Sequence, residues 1–449
     1  MKKIFTLIFV CLAAMTSMAH TGGTSESNTW GLSGSGTEAD PYQIKTADDF
    51  TKMASNFKAN HKGTGEFFKM MNDIDFGGSA ENPVQLPAIG KDGNAAIAKI
   101  AYGFDGTFDG DNHTIKGIYH TNKDNNADGK YNGLFGCIDK NGVVKNIIMS
   151  KDNHIESNNY VGSIASLNMG KIENCINNAD ITSIAAYAGG ICGHMVNGCG
   201  SIKNCENHGN IKATTFATGI CGGTQRVTTC AYLVEGCVNY GNISTTNGIG
   251  SAGIAGGYSG AVKNCTNNGN VDDTKGTGKS KQYTAGIVCT VTNDVDIDGC
   301  VNNGTVNGVK NAAGIVGNVV KGDSKATAIK NCTNNGSVSG QDFVAGIVAN
   351  SNRDKGLVSI ESCTNNGVVS STATTENIGN LRGSANIALG DGNVIAGTLT
   401  HFSLDDSSST GINKVVAGKQ TVKNGKYIKN GRVVIINDNK EYSVGGIKF

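Results

Sequence analysis

Seven copies of one ten-residue phrase dominate the chain, and their spacing constrains the fold more than any other feature. The best-formed copy is Ile329-Lys330-Asn331-Cys332-Thr333-Asn334-Asn335-Gly336-Ser337-Val338. The cysteines of the seven copies are Cys175, Cys205, Cys237, Cys265, Cys300, Cys332 and Cys363, separated by 30, 32, 28, 35, 32 and 31 residues. A repeat of this length marks an architecture in which each unit buries its apolar face only against its neighbours.

The positions of the phrase alternate. Three residues before each cysteine stands Ile or Val (Ile172, Ile202, Val234, Val262, Ile297, Ile329, Ile360), and six residues after it another (Ile181, Ile211, Ile243, Val271, Val306, Val338, Val369). Two residues after it there is always Asn: Asn177, Asn207, Asn239, Asn267, Asn302, Asn334 and Asn365. Gly fills the fourth place in every copy but the first, which has Ala179. Cys, Asn, Gly and the following Ile or Val share one face at a period of two, which is a strand pattern. An inward amide on every repeat needs a partner, because a lone buried amide costs a few kcal/mol. Stacking one coil on the next at about 4.8 Å supplies it, each NH2 reaching the C=O of the next Asn. Period, parity and amide ladder together predict an all-β chain folded as a parallel β-helix.

A second phrase alternates with the first: Val161-Gly-Ser-Ile164, Ala188-Gly-Gly-Ile191, Ala217-Thr-Gly-Ile220, Ala252-Gly-Ile254, Ala285-Gly-Ile287, Ala313-Gly-Ile315 and Ala345-Gly-Ile347. It reads as a short apolar strand with small residues at a tight approach. Two degenerate coils around Ile118 and Ile147 stay in phase, giving roughly nine coils and about 40 Å of solenoid.

Composition supports this reading. Gly numbers 64 of 449 residues, and the only prolines (Pro41, Pro83, Pro87) precede the repeats, as parallel ladders require. Lys+Arg 38 against Asp+Glu 37 leaves a net charge of +1 with no basic stripe, which argues against nucleic acid as a partner.

Met1-Lys-Lys, the apolar run Ile4 to Ala14 and Ser17-Met-Ala19 form a secretory signal over residues 1–19. No other stretch has the length of a transmembrane helix. Fourteen cysteines in an exported chain suggest a disulfide framework, but the seven ladder cysteines share one interior position, where Cys packs as a small hydrophobe. Cys192, Cys221 and Cys289 in the second phrase read the same way. Cys199 and Cys230, six and seven residues before ladder cysteines of consecutive coils, are the candidates for a disulfide.

Residues 20–100 form an N-terminal lead-in and cap. Thr46 caps a helix with Asp48 and Asp49 in its first turn. Phe50, Met53, Ala54 and Phe57 make one apolar face, suited to plugging the open end of a solenoid. Residues 101–400 hold the β-helix and 401–425 a linker containing Asp405-Asp-Ser-Ser-Ser-Thr410. In residues 426–449 Asn430-Gly431, Asp438-Asn439 and Gly445-Gly446 separate short strands of a small antiparallel β unit, a hairpin tail.

The run Gly34-Ser-Gly-Thr through Asp40-Pro-Tyr-Gln-Ile44, Asn72-Asp-Ile-Asp75, Phe104-Asp-Gly-Thr-Phe-Asp-Gly110, Leu134-Phe-Gly136 and the repeated Ala-Gly-Ile and Ile-Lys-Asn-Cys phrases resembles bacterial secreted proteins with GLUG repeats. The resemblance implies a right-handed β-helix in a surface, adhesin-like protein, sometimes joined to an enzyme, with no assigned catalytic residues. The chain departs from that pattern by Asn two places after the cysteine, where many such repeats carry Ala. Its C-terminal segment is similar to the tails of Gram-negative proteins exported by type IX secretion; a plain C-terminal cap is the competing reading.

Residues for catalysis are sparse. Four arginines (Arg226, Arg353, Arg382, Arg432) are scattered, and the eight histidines show no metal spacing. Asp294, Asp296 and Asp298 alternate on one side of a strand, an arrangement that could bind calcium weakly but that a solvated face explains more simply. Neither a metal nor any other cofactor is expected. Tyr131, Tyr160, Tyr187, Phe216, Tyr283 and Phe343 recur before the second phrase and should stack along the solenoid. Parity places them inside; an intervening turn would place them outside, in a row suited to stacking on sugars. The sequence thus points to a secreted or cell-surface, non-catalytic β-helix presenting loops to a glycan or to a host or bacterial surface protein. A polysaccharide lyase or glycoside hydrolase on the same scaffold is the alternative, and a purely structural spacer the second.

Overall fold

In the computed structural model the described residues are 30–399, apart from 59, 91–102, 126–129, 197–199, 226–231, 275–281, 292–295, 321–326, 353–356 and 372–376. Beyond residue 399 only the backbone of residues 414–415, 425–429, 432–437 and 440–443 is described. The signal segment and the Cys199–Cys230 pair therefore lie outside the described residues.

The chain is a parallel β-solenoid. Five parallel sheets of 12, 12, 9, 7 and 8 strands run its length, and strands that are neighbours in a sheet come from successive coils. In one repeat the chain passes through Thr327–Lys330 of the first sheet, Thr333–Asn334 of the second, Val338–Gly340 of the third, Val344–Ala345 of the fourth and Val348–Ser351 of the fifth. The register is strict: Ile297 faces Ile329 and Ile329 faces Ile360, Asn302 faces Asn334 and Asn334 faces Asn365, Val306 faces Val338 and Val338 faces Val369.

The corner between the first two sheets explains the residue before each cysteine. Asn174, Asn204, Asn264 and Asn331 stand there at φ near +53°, Gly236 and Gly299 at φ +64° and +65°, and in the last copy Ser362 takes the same conformation at φ +51°. This left-handed conformation favours Asn and Gly over other residues.

Inside, the seven Asn residues and the seven ladder cysteines are fully buried. Asn177 Nδ2 donates to Asn207 Oδ1 at 2.8 Å, and the chain of amides continues through Asn239, Asn267, Asn302, Asn334 and Asn365 at 2.7–2.8 Å. It ends where Asn365 donates to Asn380 Oδ1 at 3.1 Å. The second N–H of each amide goes to a carbonyl two residues on in its own coil, for example Asn334 to Gly336 O at 2.9 Å. Each buried amide thus satisfies both donors, which removes the desolvation cost that an unpaired one would carry.

The Gly after each inward Asn is there for space. A Cβ on Gly336 would fall 1.9 Å from the carbonyl oxygen of Gly304, and the same distance recurs between Gly367 and Gly336. Ala179 sits in the first coil of the ladder, whose preceding coil carries Met149 in the Asn register.

The Ala-Gly-Ile phrase is not one strand, as its apolar run suggested, but the corner between the fourth and fifth sheets. Val344–Ala345 closes one strand, Gly346-Ile347 turns, and Val348 opens the next. The turn brings the glycine backbone against the inward amides, so each phrase depends on the other: Gly286 on Asn302, Gly314 on Asn334, Gly346 on Asn365.

At the N-terminal end the helix Ala47–Asn56 begins at Thr46 with a capping box to Asp49 and buries Phe50 and Met53. Phe50 packs on Phe108 and Phe76 at ring distances of 5.6 and 5.7 Å, covering the first coils. At the other end Lys414–Val415, within the stretch read as linker, pairs with Val394–Ile395 and extends the second sheet. Gly425–Lys429, Arg432–Asn437 and Lys440–Ser443 form a three-stranded antiparallel sheet, one strand more than a hairpin.

Candidate functional site

Two features of the coil face outward with organised chemistry. The first is a ridge of rings at the start of the fourth sheet. Tyr131, Tyr160, Tyr187 and Phe216 stack with centroids 5.2, 5.0 and 4.8 Å apart and interplanar angles of 2°, 12° and 2°. The rings are not in the interior, where strand parity had placed them. The chain turns between the third and fourth sheets, so Ala188 and Ala217 point inward and the ring before each lies half-buried on the outer side. There Tyr131, itself buried, and Tyr160 pack with Cys137, Leu167, Met169 and Val196 in a small second core against the outer face of the fifth sheet.

Because the planes are parallel, each ring covers its neighbour's face and the ridge presents ring edges along most of its length. The stack stops at Phe216, since Gly250 occupies the next register and Tyr283 the one after. A Cβ on Gly250 would lie 2.0 Å from Cys289 Sγ, so the thiol occupies the base of that gap. Asn311 follows Tyr283, and Phe343 stands half-buried in the next coil with its N–H on Asn311 Oδ1. The six aromatics of the sequence are therefore four stacked rings and two separate ones.

His194 wedges edge-on under this ridge, 5.5 Å from Tyr160 and 5.0 Å from Tyr187. It is buried, its Nδ1 has no partner, and burial lowers its pKa to about 4, keeping the imidazole neutral. Burial pushes the Cys289 thiol up to about 12 and raises Tyr187. At neutral pH these three groups are therefore held in their uncharged forms.

The other titratable groups are dispersed. His113 meets Asp73 at 3.3 Å, His120 accepts the N–H of Leu86 at 3.3 Å, and His208 pairs with Glu206 at 2.9 Å. Asp298 accepts from Asn331 Nδ2 at 2.8 Å, Asp296 is exposed, and Asp294 lies outside the described residues. Outward lysines and carboxylates pair from coil to coil, as in Lys203–Glu235 at 3.0 Å and Lys330–Glu361 at 3.4 Å. Among the described residues no three His, Cys, Asp or Glu side chains gather as metal ligands. One buried carboxylate had no signal in the sequence beyond a loop Asp: Asp273 accepts hydrogen bonds from Thr245 and Thr284, and burial raises its pKa to about 6.

The eleven described cysteines are all free and buried. Along the ladder each thiol finds backbone carbonyls, as Cys265 does with Lys263 O at 3.2 Å, and burial raises the thiols of Cys205 and Cys265.

The second outward feature is a row along the second sheet, three residues after each ladder cysteine. It was legible in principle, since the repeated Asn-Asn-Gly puts its second Asn one step from the inward one and hence on the opposite face. Asn303 Nδ2 donates to Asn268 Oδ1 at 2.8 Å, Asn335 to Asn303 at 2.7 Å and Asn366 to Asn335 at 2.7 Å. This exposed ladder donates toward the N-terminal coils, opposite to the buried one.

No family model matches the chain. A curated relative, "Putative Gly-rich membrane protein" of Evansella cellulosilytica, is 30% identical over 182 residues, 39% of this chain. The chain matches only 19% of that relative's length. Among solved structures, "a putative immunoglobulin A1 protease" from Bacteroides ovatus superposes with a TM-score of 0.46 and 23% identity, over 60% of this chain and 77% of the other. What the fold itself defines is the class: a parallel β-solenoid repeat protein.

Proposed function

We propose that the protein is an exported, surface-displayed β-helix that binds through its corners without catalysing a reaction, as an adhesin-like rod of the GLUG-repeat kind. The observation that carries this reading is where the coils differ in length. The strands stay in register from coil to coil, so the extra residues fall in the connections from the fifth sheet to the first, such as Gly223 to Tyr232 and Val319 to Thr327, and from the third to the fourth, Asp272 to Tyr283. Repeat proteins that keep a rigid frame and vary only such connections use them as the binding face. The pairing of outward lysines and carboxylates between coils supports a non-catalytic role, because it leaves these charges engaged in holding the stack. The amino-terminal signal segment, the tail similar to type IX sorting signals and the membrane protein among the relatives support a location outside the cell.

The test is to treat intact producing cells with protease and to incubate the purified protein with glycan and polysaccharide panels. Cleavage on intact cells with retention of a glycan or surface protein is expected. Release of unsaturated or reducing ends would replace this reading with a polysaccharide lyase or hydrolase, and protection inside the cell would remove it.

A further inference from the structure

We infer that the outer face of the second sheet, from Tyr240 to Asn366, is a binding strip for an extended, uncharged polysaccharide chain lying along the solenoid axis. The strip is distinct from the loop corners and from the ring ridge.

Three observations carry the inference. First, the strip offers repeated, unfilled hydrogen-bonding capacity. Asn303 and Asn335 each spend one N–H and one carbonyl lone pair on their neighbours, and an amide has two of each. One donor and one acceptor per coil therefore remain for solvent or ligand, repeated at about 4.8 Å. The row is held rigidly, because each of these residues also donates its backbone N–H to the inward Asn of the preceding coil, Asn335 to Asn302 O at 2.7 Å. Prepositioned amides lose little entropy on engaging a ligand.

Second, the row carries an exposed ring at its N-terminal end. Tyr240 is 47% exposed, far more than the half-sealed rings of the ridge, and His208 stacks beneath it at 4.6 Å and 12°. An exposed ring held by a partner matches the apolar C–H face of a sugar. Below it, Thr114, Ile148, Ser150, Lys151, Asn178 and His208 line a shallow depression that continues the same face.

Third, the strip has no charge. From Val238 onward the two outward rows of this sheet hold Val, Tyr, Thr and Asn alone, with Thr266, Thr333 and Thr364 beside the amides. The charged ladder, with Lys203–Glu235 and Lys330–Glu361, belongs to the first sheet. An acidic polysaccharide would draw on Lys or Arg. A neutral chain of hydroxyls and ring C–H groups matches amides, threonines and a tyrosine.

The experiment uses the full chain in affinity electrophoresis with hydroxyethylcellulose, soluble β-glucan and dextran, and with polygalacturonate as the acidic comparison. At least one neutral polymer should retard the protein. Tyr240→Ala and the double variant Asn303→Ala/Asn335→Ala should each weaken that retardation at least tenfold, with melting temperatures close to the parent's, while Tyr187→Ala on the ring ridge leaves it unchanged. Retention of polygalacturonate in preference to the neutral polymers, or of none of them, overturns the inference. So does loss of binding in Tyr187→Ala with retention in the double variant, which would move the site to the ridge. A concentration-dependent dimer abolished by Tyr240→Ala would make the strip a contact between copies of this chain instead.

Discussion

The side-chain amide of Asn334 lies directly against the backbone of Gly314, where a Cβ would come 2.2 Å from the amide carbon. The two residues belong to different repeats of two different phrases, and each is explained by the other. The amide ladder runs in single file down the interior, and the glycine corner of the opposite wall closes on it. The solenoid is thin enough at this point that no side chain fits between the walls.

Gly314→Ala should therefore be costly. The added methyl meets the Asn334 side-chain amide, which its hydrogen bonds hold in place, and also the backbone carbonyl of Gly346, and overpacking of this kind costs about 1–3 kcal/mol or more. Gly257→Ala is the matched comparison, since nothing lies within 4 Å of its Cβ position. Thermal melts of the two should separate clearly, with Gly257→Ala near the parent. Equal melting temperatures would contradict the wall-to-wall contact.

Asn334→Leu should cost about 2–4 kcal/mol, because it strands an N–H of Asn302 inside the protein and leaves the Oδ1 of Asn365 only the longer of its two hydrogen bonds, from Gly367 N. Asn335→Leu, one residue on but exposed, should shift stability by only about 0.5 kcal/mol. Chemical denaturation midpoints of the pair distinguish the ladders. A neutral Asn334→Leu variant would mean the buried amides are not a chain of dependent bonds.

The pH dependence of stability should carry two opposed terms. Asp273 has its folded pKa raised to about 6, so its contribution is fully present below the unfolded value near 4 and is lost as pH rises through about 6. His194 has its folded pKa lowered to about 4, so its contribution is present above the unfolded value near 6.5 and is lost as pH falls through about 4. Each term is worth about 3 kcal/mol over its window, and between pH 4 and 6 they offset one another. Asp273→Asn should therefore reveal a protein that weakens on acidification, and His194→Gln one that weakens as pH rises from 4 to 6. Melting curves across that range on both variants give the slopes; slopes of the same sign in the two would rule out this assignment.

The eleven described cysteines should be silent toward iodoacetamide in the native protein and reactive after denaturation, as judged by peptide mass mapping. All are buried as free thiols, and burial holds those of Cys205, Cys265 and Cys289 in the unreactive protonated form. Reducing agent should leave the contribution of this ladder to the melting temperature unchanged. Rapid labelling of Cys332 or Cys363 would show that the stack opens there.

Much of the scaffold was legible because β-solenoid stacking converts a sequence period into a spatial coincidence. Residues one repeat apart become neighbours, so the recurrence of Ile329, Asn334 and Val338 carries its own register. The cap helix was legible for a similar local reason, through Thr46, Asp49 and the Phe50–Met53 face. The ring ridge was not. Whether Tyr187 points in or out depends on a turn between two sheets, and alternation counted through a turn inverts the side. The Ala-Gly-Ile phrase misled in the same way, since a corner and a strand can share one apolar run.

By itself the amino-acid sequence determined that the chain is a stack of like windings, which residues recur in each, and that the inward amides need one another. Only the tertiary structure decided that a full winding has five strands, that Gly314 abuts Asn334, that His194 is sealed beneath Tyr160 and Tyr187, and that Asp273 is buried among hydroxyls. The physical reason is that these contacts join residues that no repeat period relates. They cross the coil from wall to wall or pass around its corners, and their distances follow from where the backbone bends.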